Sequence, residues 1–123
     1  MQRIIIFLVG VTLTQAGTET RTLRGWLSDE GCARGRATAG VYTGTNPECA
    51  KRCVAEGKKI VFIDPNARRV LDISNQDAAR DNIGDEVAII GVVDPGKAAV
   101  DINSLRLISQ GVAMCTRPKT PKK

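Results

Sequence analysis

The segment Asp85-Glu-Val-Ala-Ile-Ile-Gly-Val-Val-Asp94 most constrains the fold of this chain. It is rich in β-branched residues and apolar on both faces, so it reads as a strand with neighbours on both edges and cover on both sides. A β-protein built around such a strand needs further strands close by in sequence, and the chain supplies them. Thr20-Arg-Thr-Leu-Arg-Gly-Trp-Leu-Ser28 alternates, with Leu23, Gly25 and Leu27 on one face and Trp26 on the other, where something must cover it. Lys59-Ile-Val-Phe-Ile-Asp64 and Arg69-Val-Leu-Asp-Ile-Ser74 flank Pro65-Asn66-Ala67-Arg68, a hairpin signal. Asp94-Pro95-Gly96-Lys97 turns the chain into a last strand, Ala99 to Ile108.

Two helices interrupt these strands. Asn46 is placed as an N-cap, Pro47 opens the first turn, Glu48 suits the dipole, and Gly57 ends the element, so Pro47 to Glu56 reads as helix with Cys49, Ala50, Cys53 and Val54 as its buried stripe. Asn75 to Asn82 reads as a second, short helix stopped by Gly84. Asp29 to Thr45, rich in glycine and small residues, reads as a loop. The order strand, helix, strand, strand, helix, strand, strand is that of a five-stranded OB-like barrel, mainly β, with one helix between strands 1 and 2 and one between strands 3 and 4. Val87, Ile89, Val93, Leu23, Leu27, Val61, Ile63, Leu71 and Ile73 are its expected core.

The N-terminus bears on compartment. Met1-Gln-Arg3 is a short positive region, Ile4 to Leu13 is a ten-residue apolar run, and Thr14-Gln-Ala16 ends in a small residue suited to cleavage before Gly17. That is the layout of a secretory signal peptide, and the run is short for a transmembrane span. The expected organisation is a signal at 1–16, one domain at 17–116 and a basic tail at 117–123. The expected location is the periplasm or the outside of the cell.

Export alters how the four cysteines are read. In an oxidising compartment Cys32, Cys49, Cys53 and Cys115 are first candidates for disulfides. Cys49 and Cys53 lie one helical turn apart and would each reach a different partner. Cys32–Cys49 with Cys53–Cys115 is the favoured pairing, and Cys32–Cys53 with Cys49–Cys115 is the alternative. In either case Cys32 would staple the glycine-rich loop to the helix. The same four thiols could instead hold a metal or act as a redox pair, although only Cys49-x3-Cys53 has the short spacing usual in zinc sites.

Composition narrows function. There is no histidine, which excludes Ser-His-Asp and Cys-His nucleophiles and His-ligated metals. The net charge of +5 comes from the ends: Arg3 and the tail Arg117-Pro-Lys-Thr-Pro-Lys-Lys123 carry the excess, so the body is balanced. A balanced body with Trp26, Tyr42 and Phe62 as its only rings argues against nucleic acid, which OB barrels bind through basic grooves and stacked aromatics. The tail is expected to be solvated, with contact to an anionic surface as the other possibility. Trp26, Ser28, Asp29 and Glu30 border the cysteine-rich loop and are the candidate binding-site residues, with Ser28 and Asp29 also suited to capping the turn. No catalytic residue and no cofactor is indicated. The expectation is a non-enzymatic exported domain that binds an unknown partner or serves the envelope, with a metal or redox module as the alternative.

The residues Gly25-Trp-Leu-Ser-Asp29, Cys32, Cys49-x3-Cys53, Gly57, Val61-Phe62-Ile63 and Ile89-Ile-Gly-Val-Val-Asp94 together resemble small exported bacterial domains of unknown function. In those, G-W-[VIL]-S-D-x-x-C precedes C-x-x-x-C, a hairpin and a V-x-G-x-[LV]-D strand. Such domains often carry a histidine after the first cysteine, which this chain lacks. The resemblance implies the OB-like fold and the export, and no activity.

Overall fold

A computed structural model describes residue 10 and residues 19–111 of the chain. The expected signal peptide, Cys115 and the basic tail lie outside the described residues. Five strands, β1 (Glu19–Asp29), β2 (Ile60–Asp64), β3 (Arg69–Ile73), β4 (Glu86–Asp94) and β5 (Ala99–Ser109), close into a barrel in the order β1-β2-β3-β5-β4. This is the OB-like architecture expected from the strand order. All neighbours are antiparallel except β3 and β5, which run parallel through Asp72↔Ala99 and Ile73↔Val100. Strand β4 pairs on both edges, with β1 and β5. Its pairing with β5 shifts register at Glu86/Val87 and at Ile90/Gly91, and such irregularities help a sheet to bend into a barrel.

Leu27, Phe62, Leu71, Ile73, Val87, Ile89, Val93, Val100 and Ile102 fill the barrel, with Leu23 packed at its edge. Gly25 makes the room for Phe62: a Cβ there would lie 2.8 Å from Phe62 Cζ and would overlap the Ile63 carbonyl oxygen. The assignment of Val61 and Ile63 to the barrel core is therefore corrected. They are buried, but on the outer face, with Ala33, Trp26, Tyr42 and Val70. The register explains the reversal, because Leu27 faces Phe62 and Trp26 faces Ile63 across β1 and β2. Ile60-Val-Phe-Ile63 is apolar at every position and buried on both sides, so its own pattern could not tell inside from outside.

The outer face of β2 is covered by a helix that the sequence reading missed. The segment expected to be loop from Asp29 to Thr45 contains α1 (Glu30–Thr38). With Gly31, Gly35 and Thr38 its intrinsic propensity is poor, and its apolar stripe reduces to Ala33. Tertiary contacts hold it instead. Ala33 is buried against Val61 and Ile63, Arg34 pairs with Asp72 at 2.5 Å, and Arg36 donates to the Gly44 carbonyl at 2.8 Å.

The second helix, α2 (Pro47–Ala55), has the expected cap: the Asn46 side chain accepts from the Glu48 and Cys49 amides. Its buried stripe is Pro47 and Ala50, with Cys53 and Val54 half-buried. Cys49 is exposed, which corrects its place in that stripe. A 3₁₀ helix, Gln76–Asn82, joins β3 to β4. Asn75 does not cap it. Its carboxamide donates to the Ile102 carbonyl at 2.7 Å and accepts from the Ile102 amide at 2.8 Å. Gln76 does the same for Ile60 of β2 at 2.9 and 2.8 Å and also donates to the Ile73 carbonyl. Two consecutive amide side chains thus continue the ladders where the short strand β3 ends. No helix among the described residues is long and apolar enough to cross a membrane.

Candidate thiol–carboxylate centre

Strand β1 runs directly into α1 at Asp29, and this junction builds the centre. Asp29 is the N-cap of α1, its Oδ2 accepting from the Cys32 amide at 3.0 Å. The cap turns the chain so that Cys32, in the first turn, stands beside the Asp29 side chain. Helix α2 packs on β1 and brings Cys53 to the same place. A carboxylate oxygen of Asp29, Cys32 Sγ and Cys53 Sγ lie within 4.8 Å of one another.

Burial differs across the three. Asp29 is 1% exposed, whereas Cys32 and Cys53 are half-buried. The Asp29 Oδ1 atom is buried and has no hydrogen-bond partner among the described residues. A buried acceptor left unsatisfied costs about 1–3 kcal/mol, and more when charged. The other buried acids and hydroxyls behave differently. Asp64 accepts from the Asn66 and Ala67 amides and from Arg69, and Ser28 pairs with Thr45 in a buried hydroxyl contact.

The Cys32 thiol is pushed up to about 11. Burial is the main cause, followed by hydrogen bonding to Asp29 and then by the negative charge of Asp29, Cys53 and Cys49. A thiol held protonated at neutral pH is a poor nucleophile. The arrangement instead offers two sulfur donors and one carboxylate oxygen converging near the surface, a set suited to a borderline-soft cation.

The candidate residues separate cleanly. Asp29, Cys32 and Cys53 come together. Cys49, one turn before Cys53, is exposed and outside the set, so the second thiol grouped with Asp29 and Cys32 is that of Cys53. Cys32, Cys49 and Cys53 are free thiols, and no disulfide joins them. Ser28 bonds Thr45 rather than capping the turn, and Glu30 opens α1 without its carboxylate joining the three donors. Trp26 packs on Val61 and Ile63 and borders a groove of about 450 Å³ that none of the three donors lines. The sequence reading named Asp29 as a binding-site and capping candidate but rested its metal alternative on the four cysteines alone, so it missed Asp29 as a donor beside the thiols. Asp29-x2-Cys32 is as short a pair as Cys49-x3-Cys53, and that spacing was the available signal.

No family model, curated protein or solved structure matches this chain.

Proposed function

We propose that the chain is an exported, non-enzymatic OB-like domain whose binding centre is formed by Asp29, Cys32 and Cys53. One observation carries the reading: the Asp29 carboxylate, buried and with its Oδ1 lacking a hydrogen-bond partner among the described residues, has an oxygen within 4.8 Å of two thiol sulfurs. Folding does not require a carboxylate there, because asparagine or serine caps a helix as well as aspartate does. A group kept at a cost to stability is the mark of a functional position. The leader-like N-terminus supports an exported location.

A second reading is favoured by the proximity of Cys32 and Cys53. In an oxidising compartment the two thiols would join as a disulfide, and the centre would then be structural.

Two measurements test the proposal. Asp29→Asn in the reduced chain should be at least as stable as the parent in urea denaturation, since it removes a buried charge and keeps the cap. A loss above about 1.5 kcal/mol would mean that Asp29 serves the fold, which would overturn the binding reading. Fractionation of a bacterium expressing the full chain should recover it outside the cytoplasm, shortened to begin near Gly17. Recovery in the cytoplasm with Met1 retained would refute export.

A further inference from the structure

We propose that Asp29, Cys32 and Cys53 form a three-donor site for a zinc-class divalent cation, with the fourth position open to solvent. This rests on the reading of the same centre as the binding site and names its ligand. The donors converge from three different elements, the end of β1, the first turn of α1 and the second turn of α2, so the fold itself assembles them. Bond lengths of about 2.0–2.3 Å at tetrahedral angles require donor separations of roughly 3.3–3.8 Å. The observed separations, all within 4.8 Å, need only small side-chain rotations to reach that range. The buried Asp29 carboxylate, whose Oδ1 has no hydrogen-bond partner among the described residues, would supply the oxygen donor.

Donor chemistry selects the class of ion. Calcium and magnesium are hard cations that take oxygen ligands, whereas two of the three donors here are sulfur. Two thiolates with one carboxylate suit zinc or cobalt(II). On binding, both S–H bonds break, two protons pass to the buffer and two metal–sulfur bonds form. No electron is transferred. The exposed Cys49 lies outside the set, so it should be dispensable.

The test uses the full chain, reduced and kept free of oxygen. Titration with Co²⁺ should give thiolate-to-cobalt charge-transfer absorption saturating at one ion per chain, and Zn²⁺ should displace it. Competition against a chromophoric chelator should show Asp29→Asn and Cys53→Ser weakened by at least about tenfold, and Cys49→Ser unchanged within about threefold. Circular dichroism of each variant confirms that it is folded. Three results would overturn the site: no cobalt spectrum in the folded, reduced chain, Asp29→Asn binding as tightly as the parent, or Cys49→Ser losing as much as Cys53→Ser. A natively exported chain carrying a Cys32–Cys53 disulfide and no metal would also overturn it. These outcomes are distinct from failure of the binding-centre reading, which is decided by the metal-free stability of Asp29→Asn.

Discussion

Replacing Gly25 with alanine adds one methyl group at the tightest point of the barrel. Gly25 is buried on the inner face of β1, opposite Val87 of β4. The new Cβ would lie 2.8 Å from Phe62 Cζ and would overlap the Ile63 carbonyl oxygen. Phe62 is fully buried within the barrel core, so it would have to displace packed neighbours to move aside. The carbonyl belongs to the β1–β2 ladder, so it cannot retreat without breaking the register Trp26↔Ile63 and Leu27↔Phe62. Overpacking costs about 1–3 kcal/mol in general, and a clash with backbone belongs at the upper end. For a domain of this size, about 3 kcal/mol lowers Tm by roughly 12–24 °C. Gly35→Ala is the control. Gly35 sits inside α1 with open space around it, so the same chemical change should stabilise the protein by about 0.5–1 kcal/mol. Urea denaturation of both variants, with circular dichroism as the probe, gives the two free energies. A loss below about 0.5 kcal/mol for Gly25→Ala would refute the packing argument for Phe62.

Further expectations concern polar groups. Gln76→Ala should destabilise by about 1–3 kcal/mol, because it strips partners from both backbone groups of Ile60, and amide hydrogen exchange at Ile60 should accelerate. Ser28→Ala should cost about 1 kcal/mol or more by orphaning Thr45, while the double change Ser28→Ala with Thr45→Val should recover much of the loss in a double-mutant cycle. In the reduced, metal-free chain, Cys32 should resist iodoacetamide until the pH approaches about 11, while the exposed Cys49 reacts first. The sign for stability follows from the raised value. The folded state holds the Cys32 proton more tightly, so this contribution is complete below the ordinary 9.0 and is lost as pH rises toward about 11. Mass spectrometry of labelled peptides checks the order, and Cys32 reacting first at neutral pH would contradict it.

The strands were legible because their information is local. The turn residues Asp64-Pro65 and Asp94-Pro95 mark both hairpins, and in the structure each aspartate accepts from the two amides that follow its proline. The alternation of Leu23, Gly25 and Leu27 assigned the inner face of β1 correctly. The Asn46-Pro47-Glu48 start of α2 needed nothing beyond its own backbone donors. Those elements, taken in order, determine an OB-like barrel.

Tertiary structure decided the rest. Helix α1 has little propensity and a single buried residue, so it forms only where Val61, Ile63 and Asp72 already lie beneath it. The inner face of β2 could not be read from four consecutive apolar residues, and pairing with β1 chose Phe62 for the interior. The centre at Asp29, Cys32 and Cys53 depends on both decisions. Residues 29 and 53 become neighbours only after the barrel closes and two helices pack against β1, because proximity between such distant positions is a property of packing and is not encoded in any local pattern.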